Sequence, residues 1–317
     1  MTHADAHGAD DTWRIDATQL EAARRAVDAH ALRTPLVPAP SLAPRLWLKL
    51  ESQQHTGSFK LRGALTRLAN LSAEEQGRSL VVASAGNHGL GMAYAAKRLG
   101  LGLKVWVPSV VRESKRAGIA ALGAEVVVSE QASYDAVEGE ARADARESGG
   151  LFISPFDDPW IAAGNGGSLA EELFETAALS TLVVPVGGGG LISGVLAARS
   201  LRGREDVRVV GVSSEACPAM AESLTRGEPV LEMRGEPTLA EGLEGGVCAS
   251  TFAYVRDAGV SVERVTEQAI ADAMRDCAAL GYPMEGSAAV AVAWARVHAP
   301  AQPGVGAVVA IVSGGNV

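Results

Sequence analysis

Only five of the 28 basic residues in this 317-residue chain are lysines: Lys49, Lys60, Lys97, Lys104 and Lys115. Arginine serves wherever positive charge alone is needed, so each lysine invites a question, because an amine can lose its proton and act as nucleophile or base. Lys60 has the most suggestive place. It lies in GSFKLRGALTRLANL, where Phe59, Leu61, Ala64, Leu65 and Leu68 recur at helical spacing, with Ser58 near the start and the lysine in the first turn. The positive end of the helix dipole and burial against Phe59 both act to lower an amine's pKa there. Taken by itself, a solvated surface lysine is the simpler reading.

A second group suited to chemistry is backbone rather than side chain. Thr181 to Leu201, TLVVPVGGGGLISGVLAARSL, reads as a β-branched strand, four glycines and a helix. Glycines 187 to 190 have no Cβ, so their N–H groups can close on an anion that also meets the positive end of the following helix. A sharp turn is the plain alternative, but four consecutive glycines each cost about 0.5–1 kcal/mol in chain entropy, which points to a phosphate ligand. The dinucleotide pattern G-x-G-x-x-G fails because Ile192 stands where its third glycine belongs, and no G-x-x-x-x-G-K-[ST] occurs. A small cofactor with one phosphate ester remains.

The third group is ASAGNHGLGMA. It places Ser84, Asn87 and His88 where a strand ends and a helix begins, the ligand-binding edge of an open α/β sheet. Asn87 as a simple helix cap and His88 as a solvated turn residue are the plain readings.

These groups need a frame, and the periodicity supplies one. Thr18 and Glu21 form a capping-box pattern before a helix to about Ala29, and Arg45 to Glu51 alternates as a strand. From Ser79, strands near Leu80, Val105 and Val126 alternate with helices over Asn87 to Leu99, Arg112 to Leu122 and about Ser133 to Arg146, the pattern of a parallel sheet. Asp158 and Pro159 open a helix running to about Ala177. Further strands are expected near Val209, at Val260 to Val265 and at Ala307 to Val312, with helices from Glu267 and Ser287. The expected organisation is two α/β domains: a large one from residues 1–78 and 151–317, and a small one from residues 79–150.

Composition narrows the class. A net charge of −9 disfavours nucleic acid and anionic membranes as partners. Cys217, Cys248 and Cys277 lack C-x-x-C spacing, and the six histidines form no HExxH. Met1 to Asp11 is polar, reads as a frayed end rather than a signal peptide, and no stretch reaches membrane-span length, so a cytoplasmic protein is expected.

Four stretches, in order, carry a resemblance: GSFKLRGA around Lys60, SAGNHG around Asn87, VGGGGLISG, and the terminal SGGN. Together they closely resemble the pyridoxal-phosphate enzymes of the tryptophan synthase β-like fold (fold type II), and within them the serine/threonine dehydratases, or threonine ammonia-lyases. The match runs from Thr34 to Val317 and includes PFDDP at Pro155 to Pro159 and TLAEGLEGG at Thr238 to Gly246. The resemblance implies pyridoxal 5'-phosphate as cofactor, Lys60 as its Schiff-base lysine and Gly187, Gly188, Gly189 and Gly190 as its phosphate cup. It implies that Phe59 packs beside the cofactor ring, Asn87 bonds its 3-oxygen and Ser313 faces its pyridine nitrogen. Glu285 resembles a family acid beside the site. Ser84, Ala85, Gly86, Asn87 and His88 are the implied substrate-carboxylate loop, with Ser84 also a candidate catalytic residue.

The implied reaction is β-elimination from serine, threonine or a related 3-hydroxy amino acid, giving a 2-oxo acid and ammonia. The lysine amine takes the Cα proton, and the cofactor phosphate supplies a proton to the departing hydroxyl. Several departures matter. Related serine racemases carry a second serine where this chain has Ala85, which favours one-base elimination over racemisation. Ser213 and Ala219 stand where many relatives hold a divalent cation, so no metal site is expected. Asn165-Gly166-Gly167 replaces a common Gln-Gly-Thr, which leaves that part of the expected pocket wall open. The sequence stops after SGGN, so the regulatory domain of biosynthetic threonine dehydratases, and feedback through it, is not expected. A racemase, a β-replacement synthase, a non-catalytic ligand-binding relative and, through Glu215, a nicotinamide-dependent dehydrogenase are the alternatives. A homodimer is the assembly that the family implies.

Overall fold

A computed structural model of the chain describes residues 13–176, 178–301 and 306–316. The frayed end read into Met1 to Asp11 lies outside the described residues. Among the described residues, ten strands form two sheets. The larger has the order β1-β2-β10-β7-β8-β9, from β1 (Leu36–Pro38), β2 (Leu46–Leu50), β7 (Leu179–Pro185), β8 (Arg208–Ser214), β9 (Val262–Val265) and β10 (Ala307–Val312). All its pairings are parallel except β1 with β2. The smaller sheet is wholly parallel, in the order β5-β4-β3-β6, from β3 (Leu80–Ala83), β4 (Leu103–Val107), β5 (Glu125–Val128) and β6 (Leu151–Phe152). Its last strand thus falls just past residue 150.

Parallel strands need crossovers, and helices cover both faces of each sheet. Helices α11 (Glu267–Ala279) and α12 (Gly286–His298) pack one face of the large sheet. On the other lie α1 (Ala17–His30), α7 (Ser168–Phe174), α8 (Gly190–Leu201) and α10 (Ala249–Asp257). Central residues such as Leu182, Val183 and Ala310 are fully buried, as two covered faces require. The small sheet sits between α5 (Tyr134–Glu147) on one side and α2 (Lys60–Ala69) with α3 (Asn87–Leu99) on the other. Two shorter helices, α4 (Glu113–Ala121) and α9 (Ala219–Arg226), complete the crossovers.

Three local expectations change. The capping box of α1 is formed by Asp16 with Gln19, ahead of Thr18 and Glu21 in the chain: the Asp16 carboxylate accepts from Gln19 N at 2.8 Å, and Gln19 Oε1 accepts from Asp16 N at 3.0 Å. Asp158 does cap the helix that Pro159 opens, accepting from Trp160 N and Ile161 N. That helix is not continuous to Ala177, however. It runs as α6 (Pro159–Ala162), a π-helical turn at Ala163–Gly167, then α7. The widened turn lets Asn165 reach α2, where its Oδ1 accepts from Gly63 N at 2.8 Å, and lets Gly166 lie against the Leu191 carbonyl of α8. Asn165 is therefore a buried strut between helices, not the pocket wall that the sequence suggested.

Helix α2 carries its own anchor. Arg62, with none of its side chain exposed, donates to Glu51 at 2.8 and 2.9 Å and to Glu172 at 2.7 Å. Buried Lys49 joins Glu172 at 2.7 Å. Burial lowers the Lys49 pKa, opposed by the carboxylates of Glu51 and Glu172. Two cations and two carboxylates balance inside the fold, so no charge within the cluster is left unpaired.

Candidate active site

The strand order brings the chemistry-bearing segments together. β2, β10 and β7 are parallel neighbours, so their carboxyl ends lie on one edge. The chain leaving β2 reaches Lys60, Ser313 follows β10 directly, and β7 runs into the four glycines. From the small sheet, β3 ends at Ala83 and delivers Ser84 to the same side. Crevices at such edges are where open α/β sheets bind ligands.

A cavity of about 500 Å³ lies there, and every site residue read from the sequence lines it: Phe59, Lys60, Ser84, Ala85, Gly86, Asn87, His88, the glycines 187–190, Glu285 and Ser313. Lys60 is the first residue of α2. Phe59 N donates to Ser313 O at 3.0 Å, and Ser58 bridges to Gly314, so the lysine's approach is stitched to the end of β10. Lys60 Nζ donates to Pro155 O at 2.9 Å and stands 5.2 Å from the centre of the Phe59 ring. Burial pulls its pKa down to about 8, against the opposing pull of Glu285. More neutral amine is therefore present near neutral pH than an ordinary lysine would offer, as a nucleophile or base requires.

The glycine loop leaves no room for side chains. A Cβ on Gly187 would come 2.8 Å from Leu243 Cα, and one on Gly188 would come 2.7 Å from the Phe156 ring. Gly189 adopts φ +91°, a left-handed conformation that favours glycine, at the N-cap of α8. Helix geometry leaves the first-turn N–H groups of α8 without intrahelical partners. A cradle with no side chains, first-turn donors free of intrahelical partners and a positive dipole end fits a phosphate ester.

On the opposite wall, Ser84 Oγ accepts from Gly86 N at 3.1 Å and shapes the loop into α3. Asn87 Nδ2 donates to both Glu285 oxygens, at 2.9 and 3.1 Å, and Asn87 Oδ1 accepts from Asn316 Nδ2 at 2.7 Å. Burial pushes the Glu285 carboxyl above its usual range, and the bond from Asn87 works the other way. His88 differs from the solvated turn residue considered above. Its side chain is buried, Nε2 faces Ile153 O at 3.3 Å, and Nδ1 has no partner among the described residues. Burial and the nearby Lys60 charge push its pKa down to about 3, so the ring is neutral. Toward a substrate carboxylate it can offer its backbone N–H in the first turn of α3, not a cationic ring.

A profile of the family described as pyridoxal-phosphate dependent enzyme matches residues 27–314. The chain belongs to this family. Pyridoxal phosphate is accordingly its cofactor, and the bare glycine cradle sharing a cavity with a low-pKa amine fits that molecule's phosphate and aldehyde. The chain is 39% identical over 231 residues to an L-threonine ammonia-lyase of Thermotoga maritima, covering 72% of this chain and 57% of that protein. It is 36% identical over 264 residues to a putative threonine dehydratase of Sinorhizobium fredii, covering 81% of this chain and 78% of that protein. Among solved structures, the processed form of threonine deaminase isoform 2 from Solanum lycopersicum superposes with a TM-score of 0.86 at 30% identity, covering 96% of this chain and 91% of that one. A serine racemase from Dictyostelium discoideum does so at 0.87 and 29%, covering 96% and 99%. The fold is that of these enzymes, as the four sequence motifs implied.

Other cavity residues carried no assigned role in the sequence. The Pro155 carbonyl that receives Lys60 and the Glu241–Leu243 turn facing the glycines lie in PFDDP and TLAEGLEGG, segments legible only as family-like. Tyr134 and Asp135, at the start of α5, also line the cavity and gave no signal, because an exposed aromatic beside an acid is ordinary at a helix start.

Proposed function

We propose that this protein is an ammonia-lyase acting on serine, threonine or a related 3-hydroxy amino acid, converting it to a 2-oxo acid and ammonia. The observation that carries the reading is the placement of one amine of pKa about 8, Lys60, in the same cavity as the four-glycine helix start and the first turn of α3. When bound, pyridoxal phosphate supplies an electron sink for the charge left at the substrate Cα after proton removal.

Each residue's part follows from its surroundings. Glycines 187–190 hold the phosphate through backbone N–H groups. The first turn of α3, with the Ser84 hydroxyl, takes the substrate carboxylate and so fixes which face of Cα meets Lys60. The Lys60 amine accepts the Cα proton; the Cβ–O bond breaks, and the hydroxyl leaves as water with a proton that the cofactor phosphate would supply. Hydrolysis of the resulting enamine gives the 2-oxo acid and ammonia. Phe59 packs beside the cofactor ring. Asn87, held by Glu285 and Asn316, would donate to the cofactor's 3-oxygen by giving up one of its two contacts with Glu285. Ser313 offers a neutral hydroxyl to the pyridine nitrogen, which suits elimination over transamination because it does not enforce a full positive charge there. We infer that the unit of residues 79–150 moves over the cavity as a lobe and excludes water during proton removal.

Ala85 supports elimination over racemisation, since that cavity position offers no acid to the second face of Cα. The assembly and location we infer, a cytoplasmic homodimer, rest on the family. No helix among the described residues is long and apolar enough to cross a membrane.

Purified enzyme should release ammonia and a 2-oxo acid from at least one of serine, threonine, 3-hydroxyaspartate or a larger 3-hydroxy amino acid, with no added nucleophile. Strict dependence on an added nucleophile would instead make it a β-replacement synthase. Inversion of the substrate without ammonia release would make it a racemase.

A further inference from the structure

The glycine loop is held from behind by a side chain that does not line the cavity. Thr251, on α10, is fully buried, and its Oγ1 lies 2.8 Å from Gly188 O. The same hydroxyl lies 3.2 Å from Cys248 O and 3.2 Å from Cys248 Sγ. It has one proton to give, and the shorter contact to Gly188 takes it, leaving the thiol able to donate to the threonine oxygen.

The direction of that bond matters. In a trans peptide the C=O and the following N–H point to opposite sides. With Gly188 O drawn outward to Thr251, the N–H of Gly189 is turned inward, toward the cavity that both glycines line. Thr251 also limits the loop sterically: a Cβ on Gly189 would come 2.8 Å from Thr251 Cβ and 2.7 Å from Met220 Cε. We propose that Thr251 is a positioning residue for the cofactor phosphate, fixing the Gly188–Gly189 peptide so that its N–H is presented to the phosphate before binding.

This rests on reading glycines 187–190 as the phosphate cradle, and the test keeps the two ideas apart. The full-length protein, stripped of cofactor, is titrated with pyridoxal phosphate and with pyridoxal, which carries the same aldehyde but no phosphate. Inorganic phosphate competing with pyridoxal phosphate, but not with pyridoxal, in the parent protein establishes the cradle independently of Thr251. Thr251→Val, which keeps the shape and removes the donor, should weaken pyridoxal phosphate binding by at least about tenfold while pyridoxal binding stays within about twofold. Thr251→Ser, which keeps the hydroxyl, should restore most of the loss. The proposal is overturned if the valine variant binds pyridoxal phosphate like the parent, if both ligands weaken in step, or if serine fails to rescue. Absence of phosphate competition in the parent removes the cradle itself.

Discussion

The Asn87 carboxamide donates to both oxygens of Glu285, at 2.9 and 3.1 Å, and so joins the helix that follows the small sheet's β3 to the start of α12 on the large sheet. Glu285 N in turn donates to Gly314 O at 3.1 Å, beside the bridge between Ser58 and Gly314. One carboxylate thus touches the loop expected to face the cofactor's 3-oxygen, the end of β10 and the field around Lys60.

That shared field gives a prediction with a definite sign. On the proposed role of Lys60, capture of the cofactor aldehyde needs its neutral amine, so the capture rate in the cofactor-free protein should rise with pH and level off above about 8. A negative Glu285 favours the protonated amine. Glu285→Gln should therefore move the midpoint to lower pH, read by stopped-flow absorbance across a pH series. A midpoint that stays put or moves upward would dismiss the coupling.

Stability should carry the same signature. The Lys60 pKa is lowered from 10.5 to about 8, so between those values the unfolded chain binds more protons than the folded one, and the Lys60 contribution grows with pH. Below about pH 8 both states are protonated, and burying the charge is a net penalty. Lys60→Met should accordingly gain on the parent below pH 8, with the gap closing toward pH 10.5, as thermal unfolding of both cofactor-free proteins would report.

His88 should stay neutral throughout the useful range. With its pKa pushed down to about 3, its ring signals in NMR should not titrate between about pH 5 and pH 8. A midpoint inside that window would mean that the ring reaches solvent or a carboxylate.

The buried cluster around Arg62 makes a mutational prediction. Arg62→Met strands Glu51 and Glu172 without their main partner and should destabilise the fold by about 3–5 kcal/mol in urea unfolding. Arg62→Lys should recover little, because a single ammonium cannot reproduce the fork that meets Glu51 twice.

Gly139 offers the opposite case. It lies inside α5, exposed, with open space where a Cβ would go. Gly139→Ala should stabilise by about 0.5–1 kcal/mol. Gly188→Ala, by contrast, would press on the Phe156 ring and should weaken cofactor binding. A cofactor-loaded Gly188 variant of normal affinity would count against the cradle.

Much of this was readable from the chain because the relevant signals are local. Four glycines after a β-branched run, or Asp158 before Pro159, act within a few residues, and the structure places both where periodicity put them. The helix Asn87–Leu99 and the strand Ala307–Val312 match to the residue, since glycines punctuate both: Gly86 and Gly100 for the helix, Gly306 and the Ser313-Gly314 turn for the strand. What escaped depends on distant partners. The burial of His88 comes from Ile153, the strut role of Asn165 from Gly63, and the anchoring of Arg62 from Glu172, none of which leaves a mark in the nearby sequence. The shift from Thr18 to Asp16 as α1's cap is of another kind: two overlapping capping boxes compete, and the Asp16–Gln19 pair made both reciprocal bonds.

The parallel neighbours β2 and β10, drawn from residues 46–50 and 307–312, have a kinetic corollary. The small sheet is assembled from residues 80–152 alone, whereas joining those two strands must close a loop spanning most of the molecule. Folding should therefore begin with the compact local unit and finish with the long-range one. The amine and Ser313 become neighbours only in that last event, so uptake of a yellow chromophore would time-stamp the moment at which the polypeptide is fully built.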